Sequence, residues 1–365
     1  MRLALVSSSY LPCTGALERH VRELAVGLAL RGVEVEVLTQ DIRGRLPSVS
    51  EFDGFVVRRF GSSFGNTQLA VAPGLWDHLR RSAATFDLVH VHSAHASLVL
   101  AAARARPRRL VFTPHAPVLH LLRRPYGPVI RALIGHGAHA LCTARAESEV
   151  LRGLFPSADN QIGVVPPGVD LAAIEAARPF AYPGSVVLAV GRLERHRRMD
   201  RAIAAMAALD PAFRLAVVGD GPAREKLLAH AVDLRVSSRV NFVGSVPDAE
   251  LYRWLRTASV VVALAEQEFS ELHITEALCA GAQVVASDIP VHREAASHSD
   301  GVGVTFVSPA GSPLDVADQI SEAAGLSVPQ PVRLELPTWD ETVDRTLAVY
   351  RAAIRGISRV AVVGS

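Results

Sequence analysis

The sequence predicts an α/β protein made of two doubly wound, Rossmann-like domains. Three observations predict it. Short β-rich runs alternate with alanine- and leucine-rich amphipathic segments. The alternation breaks once, at a stretch rich in proline and glycine, and then restarts. And 365 residues exceed one ordinary domain, so that two of about 150 to 200 residues are expected.

The first series opens on LALVSS (3–8). ALERHVRELAVGLALRG follows as an amphipathic helix closing on a C-capping glycine. VEVEVLTQ (33–40), GFVVRRF (54–60), DLVHVH (87–92), RLVFTP (109–114) and ALC (140–142) read as further strands, with helical segments between most of them. This is the pattern of βαβ units on a parallel sheet. VVPPGVDLAAIEAARPFAYPGS (164–185) then separates the two series. SVVLAVG (185–191), RLAVVGDG (214–221), RVNFVG (239–244), ASVVVALA (258–265), QVVAS (283–287) and GVTFV (303–307) make up the second. The expected domains are 1–175 and 176–337. TWDETVDRTLAVYRAAIRG (338–356) comes after the second series is complete. With nothing left to cover in that domain, the segment 338–365 is expected to return to the first.

Composition narrows the function classes. The chain is 49% hydrophobic and 20% charged, with mean hydropathy +0.24, as in globular proteins. A net charge of +2 gives no general attraction to nucleic acid. Cys13, Cys142 and Cys279 have neither metal spacing nor a disulfide framework, which points to a reducing, cytoplasmic setting. The apolar core of MRLALVSSSY is too short for a signal sequence, and no window approaches a membrane span. RARPRR (104–109) and LLRRPYGPVIR (121–131) read as a solvated basic face; the alternative is a peripheral membrane contact or a phosphorylated acceptor.

In open parallel sheets ligands sit beyond the carboxyl ends of the strands. GRLERHRRMDRAI (191–203) places Arg192, Arg195, Arg197 and Arg198 at such an end, where guanidinium forks and helix N-terminal amides suit a diphosphate. VVGDGPAREKL (217–227) repeats the geometry, with proline at the first helical position. EQEFSELHITEALCAG (266–281) places Glu268 on a loop and Glu276 in the first turn of a helix from about His273 to Gly281. A carboxylate can accept both hydroxyls of a ribose. The plainer role for Glu276 is to complement the helix dipole, worth about 0.3–1 kcal/mol. Two acids and an arginine cluster on one edge favour a sugar-plus-diphosphate ligand.

The histidines are read as non-metal. His90 and His92 alternate on one strand, but no Asp, Glu or Cys partner is spaced to complete a site. The chain contains no Asp-x-Asp, which argues against a metal-bridged diphosphate. Neither a metal nor a cofactor is expected. His115 follows its strand directly and is expected in a cleft rather than the core; His20 fits a packing role equally well.

The ordered motifs resemble the family-4 retaining glycosyltransferases of the GT-B fold, over nearly the whole chain. GALERHVRELAVGLALRGVEVEVLT is similar to the family's opening loop, helix and second strand. DLVHVHS, FTPHA, PPGVD, GRLERHRRMDRAI, FVGSVPDAELYRWLRTAS and the Glu-x7-Glu stretch follow in family order. The resemblance implies two domains facing across a cleft, with the acceptor on the N-terminal side and a nucleotide sugar on the C-terminal side. It implies that Arg192 and Arg197 hold the diphosphate, Glu276 the ribose and Glu268 the transferred sugar. Residues 242 to 246, including Val243, would meet the base, and uridine is the family's commonest. Gly15 and Ala16 would occupy the opening Gly-Gly loop, and His115 would line the acceptor side. The family's Glu-Gly-Phe-Gly is here Glu268-Phe269-Ser270-Glu271, followed by Leu272; these side chains must reshape the sugar pocket or shift which amides face it. The expected activity is therefore sugar transfer to a hydroxyl acceptor. The alternatives are a GT-B protein repurposed for nucleotide-sugar binding or non-glycosidic coupling, and a sugar-nucleotide epimerase.

Overall fold

A computed structural model describes residues 1–13, 15–41, 44–52, 54–62, 71–92, 96–115, 126–268, 270, 272–326 and 336–356. It divides into two compact units, Met1–Gly168 with Pro337–Ser365, and Val169–Leu336.

In the first unit the strands are β1 (Arg2–Ser7), β2 (Glu34–Asp41), β3 (Val49–Phe52), β4 (Phe55–Gly61), β5 (Leu88–His92), β6 (Leu110–Thr113), β7 (His139–Cys142) and β8 (Ile162–Val164). They form one sheet in the order β3-β4-β2-β1-β5-β6-β7-β8, parallel except for the β3–β4 pair. The helices are α1 (Ala16–Leu30), α2 (Pro73–Ser82), α3 (Ala96–Ala105), α4 (Tyr126–Gly135) and α5 (Arg145–Leu154). Strands such as β5 are buried at every position, which is why they read as continuous apolar runs rather than alternating ones. Two strands escaped the sequence reading. β3 is an exposed edge strand, and β8 is only three residues long, ending just before the Pro-Pro pair.

The second unit begins with α6 (Leu171–Ala176), capped by the Asp170 carboxylate and packed on the second unit's helices through Ile174. This moves the first boundary to Gly168 from the expected 175. Its sheet contains β9 (Ser185–Val190), β10 (Phe213–Val218), β11 (Val240–Gly244), β12 (Val260–Ala263), β13 (Gln283–Ser287) and β14 (Val304–Val307), in the order β11-β10-β9-β12-β13-β14, all parallel. Between them run α7 (Met199–Ala205), α8 (Arg224–Asp233), α9 (Asp248–Thr257), α10 (Leu272–Cys279), α11 (Pro290–Ser297) and α12 (Pro313–Gly325). Pro222 precedes α8 by two residues, so it shapes the turn and is not the first helical residue as expected.

The last helix, α13 (Trp339–Ile354), belongs to the first unit's core. Thr338 and Glu341 form a capping box at its start. Val343, Leu347 and Tyr350 are buried among β1, β2 and α1 side chains, each worth about 1.5–3 kcal/mol relative to exposure. Gly27 on α1 faces Val343, where a Cβ would overlap, so the missing side chain sets the helix spacing. Arg31 holds Asp344 at 2.6 Å and Asp340 at 3.1 Å. Thr342 donates to the Pro166 carbonyl at 2.9 Å. Among the described residues no helix is long and apolar enough to cross a membrane.

Candidate active site

The second sheet reverses its winding at β9, which lies between β10 and β12. The connections after β9 and β12 leave in opposite directions from this point, opening the crevice that such sheets use for ligands. Two contacts staple these connections together. The Glu266 amide donates to the His196 carbonyl at 2.9 Å, and Arg198 meets the Glu266 carboxylate at 2.6 Å. Arg198 also pairs with Asp200 at 3.1 Å. These partners hold Arg198 in the left-handed region (φ 52°), which costs a non-glycine residue about 1–2 kcal/mol.

Between the stapled loops lies a buried ion pair, Arg197 Nη1 to Glu268 Oε2 at 2.7 Å. The Glu268 side chain is 1% exposed and that of Arg197 13%. Gly191 makes room for it, since its φ of +136° is a glycine conformation and a Cβ there would lie 3.0 Å from Arg197 Nη1. Among the described residues the buried Arg197 Nε has no hydrogen-bond partner. Arg192 is half exposed and pairs with Glu194 at 2.7 Å. The sequence placed both arginines at a helix start; the structure puts them on the loop, ahead of α7, with Arg197 ending a 3-10 turn.

The neighbouring strand ends continue this surface. Leu193 donates to the Asp220 carbonyl at 3.0 Å, and the Ala223 amide donates to the Leu193 carbonyl at 2.9 Å. Cβ atoms at Gly219 and Gly221 would overlap the backbone of Gly191 and Leu193, so both glycines are required by close approach. The Gly219 amide in turn donates to the Gly244 carbonyl at 2.8 Å. Val243 is half-buried on β11, and Phe242 beside it lies under the Arg224 guanidinium at 5.8 Å.

Helix α10 starts at Leu272, one residue earlier than expected, so Glu276 falls in its second turn and not the first. The carboxylate is buried, with the residue 1% exposed. The dipole effect fades within the first turn, so it does not account for a carboxylate at this depth. Burial, and then the charge of Glu276, push the Cys279 thiol up to about 12. Leu272 is buried and Ser270 half-buried, whereas Phe269 and Glu271 lie outside the described residues.

In the first unit, Gly15 caps α1 in extended backbone and Ala16 is its first residue. The Glu18 carboxylate bonds the Ser9 hydroxyl and occupies the space that a Gly15 side chain would need. His115 departs from expectation. It follows β6, but its side chain is buried (5% exposed) and its φ is +50°. The reason is a histidine cluster. His92 Nδ1 lies 3.1 Å from His115 Nε2, and the His20 ring centroid lies 5.1 Å from that of His115 and 5.5 Å from that of His92. His90 contacts the Tyr350 hydroxyl at 2.5 Å and the Thr113 hydroxyl at 2.9 Å. Burial lowers the pKa of His20 to about 4 and those of His90, His92 and His115 well below the usual value. Sequence reasoning missed this grouping. The available signal was that His92 pairs in register with Thr113 on the adjacent strand, two residues before His115.

The chain matches two family models, Glycosyltransferase Family 4 over residues 17–173 and Glycosyl transferases group 1 over residues 174–326. It is 30% identical to D-inositol 3-phosphate glycosyltransferase 1 of Catenulispora acidiphila, over 94% of this chain and 92% of that protein. It is 28% identical to the glycogen synthase of Mycobacterium tuberculosis, over 98% and 96%. Among solved structures, sucrose-phosphate synthase from Thermosynechococcus elongatus superposes with a TM-score of 0.79 at 20% identity, covering 97% of this chain and 99% of that one. Anabaena HepE in complex with UDP-glucose superposes with a TM-score of 0.69 at 18% identity, covering 98% and 97%. With both sheets wound as this fold requires and both family models matched, the chain belongs to glycosyltransferase family 4 and is a glycosyltransferase of the GT-B fold.

Proposed function

We propose that the protein moves a sugar from a nucleotide diphosphate sugar, UDP-linked by preference, to a hydroxyl acceptor with retention of configuration. The observation that carries this reading is the buried Arg197–Glu268 pair at the point where the second sheet reverses. It sets a cation for the diphosphate against an acceptor for sugar hydroxyls. The UDP and UDP-glucose bound by the HepE neighbour support a nucleotide-sugar donor.

In the reaction, the bond from the anomeric carbon to the diphosphate oxygen breaks and a bond from that carbon to the acceptor oxygen forms. The acceptor proton leaves with the diphosphate oxygen or through a base, and nucleoside diphosphate is released. Negative charge grows on the leaving group, and fixed cations aimed there lower the barrier. Arg192 and Arg197 supply that charge without a bridging metal. Glu276 takes the ribose, Val243 and its neighbours the base, and Glu268 with Ser270, Leu272 and the substituted residues Phe269 and Glu271 surround the sugar. Gly15 and Ala16 serve the acceptor, and His115 orients it. The setting is cytoplasmic. The test is thermal-shift screening against UDP-, GDP-, dTDP- and ADP-sugars, followed by transfer assays. A UDP-sugar is expected to stabilise most, with transfer needing no added Mg²⁺ or Mn²⁺. Stabilisation without transfer to any hydroxyl would favour the binding-protein reading, which the Glu268-Phe269-Ser270-Glu271 sequence makes worth testing.

The two acids are expected to fail differently. Glu276→Gln replaces a ribose acceptor with a donor and should weaken free nucleoside diphosphate as well as the whole donor. Glu268→Gln should leave nucleoside diphosphate binding nearly unchanged and lower turnover, because its contact exists only with the sugar present. Calorimetry with UDP, alongside steady-state kinetics, separates them. If Glu276→Gln binds UDP as tightly as the parent, the ribose assignment is wrong.

A further inference from the structure

The second unit contains a fully buried histidine that the proposed reaction has not used. His292 lies in the first turn of α11, with 0% exposure. Its Nδ1 stands 2.7 Å from the Ser287 carbonyl. A carbonyl only accepts, so Nδ1 carries the proton and Nε2 is left as an acceptor. Ser287, also fully buried, donates its hydroxyl to the Ala265 carbonyl, and that hydroxyl lies 3.2 Å from His292 Nδ1. Ala265 leads into the loop that carries Glu268. One residue on, the Glu266 amide is stapled to the His196 carbonyl, beside Arg197.

A small cavity completes the circuit. Its volume is about 10 Å³, and Arg197, Met199, Leu264, His273 and His292 are among its walls. That is room for a single water. Arg197 enters this wall with its Nη1 already on Glu268, while its buried Nε has no hydrogen-bond partner among the described residues. An N–H donor and an imidazole acceptor around a one-water space are the polar surroundings that an internal water requires.

We propose that His292 is a positioning residue for the donor site. Its Nε2 fixes Arg197 through one internal water, and its Nδ1, through Ser287, fixes the chain just beyond β12 from which the Glu268 loop departs. The proposal rests on the reading of Arg197 as a diphosphate ligand. A guanidinium spreads its five N–H groups over three nitrogens. With Nη1 on Glu268 and Nε on the water, Nη2 is the edge left to meet a diphosphate, and its direction is set before the donor arrives. A lysine at this position would present a point charge on a flexible stem, with no such edge to fix.

Two measurements on the full chain test it. The first needs no nucleotide. Nitrogen NMR of the histidine-labelled chain near neutral pH should show His292 with its proton on Nδ1 and none on Nε2, and the Nε2 resonance should move in Arg197→Lys. The second is calorimetry with UDP. His292→Asn keeps a donor for the Ser287 carbonyl and loses Nε2, so it should weaken UDP about fivefold. His292→Gln returns an acceptor to the Nε2 position and should bind UDP within about twofold of the parent. In the Arg197→Lys background, His292→Asn should cost nothing more. The spectra stand even if His292→Asn fails to fold. A proton on Nε2, an Nε2 resonance indifferent to Arg197→Lys, or parent-like UDP affinity in folded His292→Asn while Arg197→Ala weakens it overturns the proposal. If Arg197→Ala also binds UDP like the parent, the diphosphate reading is what fails, and the spectra alone decide whether His292 holds Arg197.

Discussion

Arg197→Ala is expected to weaken nucleoside diphosphate binding and to slow turnover by about 10- to 150-fold, the equivalent of about 1.5–3 kcal/mol for a charge-assisted bond. It should also destabilise the second unit. Glu268 lies beneath Arg197 with almost no exposure, and removing one member of a buried pair leaves a charge that water cannot reach. Such losses run to about 3–5 kcal/mol, and the slight exposure of Arg197 favours the lower end. The two effects can be separated. In the double variant Arg197→Met with Glu268→Gln, both charges are gone, so stability should largely return. Binding of nucleoside diphosphate should not. Chemical denaturation and calorimetry on the two single variants and the double variant complete the cycle. If the double variant recovers stability, UDP affinity and turnover together, the pair is structural and Arg197 leaves the proposed site.

The next largest effect is expected in acid. His20 titrates near 4 in the folded chain, and His90, His92 and His115 are also held well below the ordinary value by burial. Once unfolded, each would take up a proton near pH 6.5. The unfolded chain therefore binds protons that the folded chain refuses, and stability falls as pH drops through this window. Above about pH 6.5 both states are neutral and the effect vanishes. Each histidine contributes about 1 kcal/mol per pH unit inside the window. Urea unfolding at pH 7, 6 and 5 should show a steep loss of midpoint. Aspartate and glutamate titrate mostly below this range, so the interval isolates the imidazoles. His20→Gln should remove about one proton from the slope. A midpoint that does not move between pH 7 and 5 would mean that water reaches the cluster.

The strands were legible where burial on both faces demands continuous apolar runs, as in ASVVVALA and QVVAS. β3 was missed because its VSEF sequence is mostly exposed, although the Asp-Gly dipeptide before Phe55 is a hairpin signal. β8 was missed because three residues, with Pro166-Pro167 one residue beyond, carry no measurable period. At the candidate site, Arg197 and Glu268 were both singled out, each by its position after a strand. Their pairing was not visible, since it depends on β9 and β12 being neighbours although β10 and β11 intervene in the chain. The histidine cluster was hidden for the same reason. It joins one helix to two strand ends, and spacing along the chain reports only His90 and His92. The depth of Glu276 was also out of reach, because a one-residue change in helix start moves it by a turn boundary.

The placement of α13 bears on how the molecule is made. The first unit is translated almost entirely before the second begins, yet Val343, Leu347 and Tyr350 belong to its core. Until those residues emerge from the ribosome, the apolar faces of α1 and β1 that receive them stay uncovered. Residues 169–336 meanwhile form a unit whose core is all their own. Domains generally fold as units during synthesis. Here the half that is synthesised first is the half that is completed last, and it must be kept from aggregating for the time that translating the other half takes.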